Sequence, residues 1–282
     1  RMAELGVHPR LAHLVLRGVE LGWGVLACSL AALLEERDVL RGAAGPPEAD
    51  VRLRLEALED GVRALPPDVT VDRSAASRVR KQAEALRRRS GSRHRAGQVG
   101  PSADSMDVVG LLAALAYPDR VGQLRPGARG RYLLRNGRGV SLDVHDSLAG
   151  EPWLVVLDLD ARGREGRVFL AAPITEAEIE EALGGQAVTL EEVAWDDAVG
   201  RVQARKVRKL GALVLGEGAL RHPDPSAVSR ALCVGVRSRG LHVLPWCRET
   251  TQLRERLAFA RALEGEPWPD ASEEALAASL ED

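Results

Sequence analysis

The sequence is poor in lysine. Of its 282 residues only Lys81, Lys206 and Lys209 are lysines, against 36 arginines. A P-loop wraps phosphates with a glycine-flanked Lys that precedes Ser or Thr. Here the three lysines follow Arg80, Arg205 and Arg208, which excludes a self-contained P-loop ATPase. Aromatics make up only 3% of the chain, so few positions offer a ring for base stacking. Cys28, Cys233 and Cys247 are odd in number and far apart, which excludes a disulfide framework and a CxxC zinc site. Such cysteine usage fits a reducing cytoplasm. The longest uncharged apolar stretch, Leu21 to Leu34, is fourteen residues, too short for a membrane-spanning helix. The opening Arg1-Met2-Ala3-Glu4 lacks the basic-then-apolar build of a secretory signal. With a first residue other than Met and a last stretch that reads as helix, the chain is expected to be a piece of a longer protein.

What is present is the composition of a soluble globular protein, 45% hydrophobic and 28% charged. The length suits two ordinary domains with room for part of a third. From Leu5 to about Pro118 the apolar period is helical. Leu26, Leu30, Leu33 and Leu34 form one stripe, as do Leu55, Leu58, Val62 and Leu65, then Val108, Leu111, Leu112 and Leu115. Gly45-Pro46-Pro47 and Pro66-Pro67 separate these helices. The net charge of −2 averages unlike parts. Residues 73–100 carry +8, with nine Lys/Arg between 73 and 95 against the single acid Glu84. Residues 1–72 carry −4 and 101–282 carry −6. Ser90-Gly91-Ser92 and the stretch from Gly97 to Ser102 predict a mobile loop behind the basic helix.

From about Asp119 to His222 the period becomes that of strands. Tyr132 to Arg135, Asn136-Gly137 and Arg138 to Leu142 predict a tight hairpin, because Asn-Gly tolerates positive φ. Trp153 to Leu159 and Arg167 to Ala172 predict a second pair, and Thr175 with Glu178 a capping box opening a short helix. Val188 to Trp195 and Arg201 to Arg208 predict a last hairpin. Five or six short antiparallel strands and one helix in this span predict a small closed barrel of the OB type. After Pro223-Asp224-Pro225 the chain is helical again, with Val228, Leu232 and Val236 on one face and Leu253, Leu257, Ala260 and Leu263 on another; Trp246 and Trp268 are expected to pack this region. The fold class is therefore α+β and multidomain. A helical bundle spans 1–118, an OB-type barrel 119–222 and a partial helical region 223–282.

No catalytic constellation emerges. His8 and His13 are five apart, which is not the i, i+4 spacing of two ligands on one helical face. Cys233 and Cys247 sit among Leu, Val and Trp, as small buried apolar groups do. Asp158 with Asp160, and Asp196 with Asp197, lie beside turns, where Asp bonds its own backbone. No metal site is expected. Nucleic-acid binding is better supported, since arginine grips phosphate bidentately. Arg120, Arg125, Arg129, Arg131, Arg135 and Arg138 crowd the first hairpin; Arg201, Arg205, Lys206, Arg208 and Lys209 crowd the last strand. Tyr132 is the one evident stacking platform, so contacts are expected mainly to the sugar-phosphate backbone, with little sequence preference. The competing reading is a helical scaffold that binds proteins and no nucleic acid.

Met2-Ala3-Glu4-Leu5-Gly6-Val7-His8-Pro9-Arg10-Leu11-Ala12 resembles the opening of the helicase-associated region of DEAH-box helicases. Leu115 to Arg120, Tyr132 to Gly139, Leu210 to Leu215, Leu244-Pro245-Trp246 and Trp268-Pro269-Asp270 narrow the resemblance to the bacterial HrpB-type ATP-dependent helicases. Gly6, Gly122 and Leu124 depart from that family's pattern, and residues 40–105 carry none of its motifs. The resemblance implies a ratchet-like bundle at 1–118, an OB-fold at 119–222 and the start of a family-specific C-terminal region at 223–282. It also implies RecA-like motor domains elsewhere in a parent chain, which would hold ATP and Mg and hydrolyse ATP while this part guides a single strand of RNA or DNA. On that reading Arg120, Arg131 and Arg138, with Arg87, Arg88 and Arg89 of the basic run, are the candidate backbone contacts. This chain alone is expected to bind no cofactor, enter no membrane and catalyse nothing.

Overall fold

The computed structural model describes residues 1–43, 45–59, 65, 68–91, 106–160 and 165–281. The chain divides into two compact units, Arg1–Ala187 with Lys209–Leu215, and Val188–Arg208 with Gly216–Asp282.

The first unit opens with α1 (Pro9–Glu20) and α2 (Gly24–Glu35). Pro9 takes the first helical position, where its missing N–H costs nothing, and the His8 ring accepts from Arg10 N at 3.3 Å. α2 is apolar almost all round, and it packs on both α1 and α4 (Arg73–Ser90). Small residues let α4 approach closely: Ala75, Ala76, Val79, Ala83 and Leu86 form its buried face. Asp72 caps α4, accepting from Ser74 N at 3.0 Å and Ala75 N at 3.1 Å. Two short strands the periodicity does not reveal, β1 (Leu40–Gly42) and β2 (Val69–Val71), pair antiparallel before α4. The expected loop behind α4 lies, from residue 92 onward, outside the described residues.

α3 (Val51–Ala57) is held by a buried arginine. Arg54 pairs with Asp38 at 2.9 Å and donates to the carbonyls of Asp50, at 3.0 Å, and Glu48. α5 (Val109–Ala116) is apolar throughout and passes so near the end of a barrel strand that a Cβ on Gly110 would sit 2.1 Å from Pro173 O.

Five strands close a barrel: β3 (Val121–Leu124), β4 (Arg131–Leu134), β5 (Gly139–Ser141), β6 (Trp153–Asp160) and β7 (Glu165–Pro173), in the order β3-β4-β5-β7-β6. Its neighbours are antiparallel except β5 and β7, which run parallel. Gly137, at φ +85°, makes the expected turn between β4 and β5. Tyr132, Leu134, Val140, Leu154, Val156 and Val168 fill the interior. The α6 helix (Glu176–Leu183) follows, opened by the reciprocal bonds of Thr175 and Glu178.

The strands expected at 188–195 and 201–208 are not in the barrel. β8 (Val188–Asp196), β9 (Arg201–Leu210) and β10 (Leu213–Ala219) form a separate three-stranded sheet, ordered β10-β9-β8. The physical reason is β3, too short for its alternation to register, which pairs with both β4 and β6 and closes the barrel without them.

In the second unit α7 (Pro225–Arg239) packs on β8, and a Cβ on Gly235 would lie 2.2 Å from the Trp195 ring. Its buried residues are Ala231 and Gly235 rather than the expected Val228, Leu232 and Val236 face, and Leu232 is exposed. α8 (Arg248–Glu264) buries no residue, so the expected Leu253 face is not a core face; α9 (Glu273–Ala278) follows. Trp246 and Trp268 remain partly exposed, each tied by its indole N–H, to Leu241 O at 2.6 Å and Glu264 Oε2 at 2.7 Å. Among the described residues no helix is long and apolar enough to cross a membrane.

Candidate nucleic-acid interface

The α4 helix concentrates the basic run, and packing divides its cations. Arg78 pairs with Glu36 at 3.1 Å, and Arg80 donates to Leu58 O at 2.6 Å. Arg89 donates to Leu5 O at 2.6 Å, while Arg87 pairs with Glu84 at 3.4 Å and its Nε is buried without a hydrogen-bond partner. Arg78, Arg80 and Arg89 tie the helix to its surroundings, while Arg87 pairs within it. Arg73, Lys81 and Arg88 are exposed, and at about 100° per residue they fall on one stripe opposite the alanine face. Arg93 and Arg95 lie outside the described residues. The buried face of α4 also covers Cys28, whose thiol burial pushes up to about 11, so it is protonated at neutral pH. Cys28 is buried but Cys247 is exposed and Cys233 intermediate, against the expectation that the latter two are core groups.

On the barrel the expected arginines have unlike surroundings. Arg120 donates to Leu157 O at 3.0 Å and sits 4.8 Å from the centre of the Tyr117 ring; Arg10, 5.3 Å from the same ring, takes Asp119 at 2.7 Å. Burial pushes the Tyr117 hydroxyl upward against the pull of these two cations. Arg125 pairs with Glu165 at 3.3 Å, Arg129 donates to Val144 O at 2.9 Å, and Arg135 reaches Gln186 Oε1 at 2.8 Å. Arg138 is half-buried at the tight turn.

Arg131, exposed like Arg129, is set in a row by strand pairing. Arg131 on β4 is opposite Ser141 on β5, and Ser141 is opposite Arg167 on β7. The next row, Tyr132, Val140 and Gly166, is buried, so by alternation the first faces outward. With strands about 4.8 Å apart, the two arginines stand roughly 10 Å from each other across Ser141. Phe169, two residues along β7, shares that outer face, 38% exposed, and the Arg167 guanidinium lies 5.7 Å from its ring centre.

Tyr132 is not the stacking platform expected of it. It is fully buried in the barrel, with its hydroxyl donating to the carbonyl of Leu148 at 2.6 Å and Glu151 O 2.9 Å away. Burial raises its pKa strongly. The exposed ring on this face is Phe169, which with Arg167 lies outside the set of contacts expected from the sequence. The alternation Arg167-Val168-Phe169 carries the signal: if Val168 points into the barrel, its neighbours point out. Among the described residues no group of His, Cys, Asp or Glu is placed to hold a metal ion.

Comparison with known proteins bears on the same regions. Residues 186–220, spanning the separate sheet, match the family described as ATP-dependent RNA helicase HrpB, connector region. Over its whole length the chain is 30% identical to the ATP-dependent RNA helicase HrpB of Escherichia coli (strain K12), of which it covers 31%. It is similar to the crystal structure of the E. coli DExH-box NTPase HrpB, with a TM-score of 0.58, 29% identity, and coverage of 99% of this chain and 31% of that one. A crystal structure of the Escherichia coli DEAH/RHA helicase HrpB gives 0.57 and 28%, covering 100% and 32%. The resemblance to HrpB-type helicases thus extends over the entire chain, which spans about a third of the relatives it matches.

Proposed function

We propose that this chain is a strand-holding accessory region of an HrpB-type RNA helicase. In this reading a single strand lies by its sugar-phosphate backbone on the outer face of an OB-type barrel. The helices of the first 118 residues form the ratchet-like part beside it. The observation that supports strand holding is the outward row Arg131-Ser141-Arg167, two cations on rigid strands with a hydroxyl between them and a ring beside them. Arg138 at the turn and Arg88 on the exposed stripe of α4 extend the contact. Arg87, Arg89 and Arg120, bonded to their own fold, act by positioning those surfaces. ATP and Mg belong to RecA-like motor domains of the parent chain, since this chain has no lysine placed for a P-loop. It turns over no ATP by itself.

Salt-dependent binding tests the reading. The 282-residue chain is titrated into a fluorescent single-stranded RNA at several salt concentrations. Affinity falls steeply with salt, and Arg131→Glu with Arg167→Glu weakens it about tenfold or more and flattens the salt slope. Unchanged retention by that double variant sinks the barrel-face contact, and ATP hydrolysis by the purified chain sinks the accessory role. A protein-binding scaffold is the second reading, favoured by the exposed Phe259 (67%) and Leu263 (70%) on α8. It gains if no RNA is retained at low salt.

A further inference from the structure

A cavity of about 550 Å³ opens beside the outer row, between Gly42 with residues 45–49, the segment after β5, and β7. We propose that it is a nucleobase pocket selecting a base with an exocyclic amino group, one nucleotide of the strand held on the barrel face. The inference rests on the strand-holding reading and adds a chemical preference to it.

Arg167 and Phe169 belong both to the outer face and to the cavity wall. A phenylalanine left partly in water, with a guanidinium against it, offers a stacking surface, since bases stack on aromatic rings and on Arg planes alike. The volume lies within the range of small-molecule sites. The polar wall carries four carboxylates, Glu48, Asp68, Asp143 and Asp146, with His145 and Arg167 beside them. Asp146 is buried and occupied, accepting from Ala49 N at 2.8 Å and Leu148 N at 2.9 Å, and Glu48 accepts from the Ser147 hydroxyl at 2.7 Å. Asp143, exposed, accepts from His145 N at 3.0 Å and keeps acceptor capacity; Asp68, also exposed, lines the same cavity. Ionised carboxylates only accept hydrogen bonds. They repel phosphate, which stays outside on Arg131 and Arg167, and they reward a donor on the part that enters. Cytosine, adenine and guanine carry an amino donor; uracil presents two carbonyl oxygens around one N–H.

The test is fluorescence anisotropy of the full chain with oligo-rC and oligo-rU of equal length at low salt. Oligo-rC binds about tenfold tighter than oligo-rU. Asp68→Asn/Asp143→Asn brings that ratio close to one while oligo-rU affinity stays within about twofold; Phe169→Ala, which removes the stacking ring, weakens both oligonucleotides and also brings the ratio close to one. Equal affinities in the unmodified chain, or a ratio that survives both variants, overturn the pocket and leave strand holding intact. No binding of either oligonucleotide removes strand holding and the pocket together. If the ratio is one and an arginine-rich peptide binds in a manner lost in Asp68→Asn/Asp143→Asn, the cavity is a protein-binding site instead.

Discussion

Arg120 donates from Nη1 to the carbonyl of Leu157 at 3.0 Å while its guanidinium stacks 4.8 Å from the centre of the Tyr117 ring. One side chain thus links the turn that enters the barrel to the middle of β6. The charge that makes Arg120 attractive as a phosphate contact in the sequence is spent inside the fold. Arg120→Ala is expected to lower unfolding stability by about 1–2 kcal/mol, through a lost hydrogen bond and a lost cation–π contact. RNA affinity changes less than about twofold, against the larger loss in Arg131→Glu. Urea unfolding and the anisotropy titration read the two quantities separately, and an unchanged unfolding midpoint with a large loss of affinity reverses the assignment.

Arg54 is the most buried charged side chain described, and its partners lie on different segments: Asp38 before β1, and the carbonyls of Glu48 and Asp50 before α3. Removing it strands two carbonyls and half of an ion pair. Asp38 is 44% exposed and recovers part of its hydration. The cost of Arg54→Ala is therefore set below that of a wholly buried pair, at about 2–3 kcal/mol. Asp38→Asn costs less, because the buried guanidinium keeps its carbonyl acceptors. Urea titration should move the midpoint in that order with little change of slope.

These two arginines also show what the sequence can reveal. Residue type and spacing announce the Asn-Gly hairpin, the Thr175–Glu178 capping box and the α2 stripe, because each depends on neighbours within a few positions. Non-local pairing is invisible at that range. Nothing near Arg54 names Asp38 as its partner, and nothing near Val121 to Leu124 says that four residues close a barrel. The separate sheet at 188–219 follows from that closure, for a barrel already closed has no edge to offer it. On the candidate site, Arg131 was legible and Arg167 with Phe169 could have been. Tyr132 misled because burial, rather than aromatic character, decides whether a ring is available to stack.

The three cysteines should separate by reactivity. Burial in the α2–α4 interface pushes the Cys28 thiol up to about 11, leaving almost no thiolate at pH 8, and the same packing blocks access. Cys247 is exposed and Cys233 intermediate. A thiol-specific chromogenic reagent added to the native chain is expected to show one fast equivalent, lost in Cys247→Ser. A slower one belongs to Cys233, and a third appears only in denaturant. Fast native labelling of Cys28 contradicts the packing of α2 against α4.

Asp72 is expected to make α4 sensitive to acid. The Ser74 hydroxyl at 2.7 Å, the Ala75 N–H at 3.1 Å and the Arg41 guanidinium at 2.6 Å bond its carboxylate and hold its pKa well below the usual carboxylate range. A folded-state value below the unfolded one, near 3.8, means that between the two the unfolded chain binds the extra proton. The cap's contribution is therefore fully present above about pH 5. It shrinks as pH falls through 3.8 and vanishes below the folded value. Asp72→Ala is expected to lower the melting temperature at pH 7, and the gap from the unmodified chain should narrow steadily from pH 5 to pH 3. Asp72→Asn keeps a capping oxygen but loses the charge, so it should fall between the two at pH 7. Thermal melts monitored by circular dichroism at matched ionic strength measure the three curves, and a gap that widens on acidification contradicts the capping account.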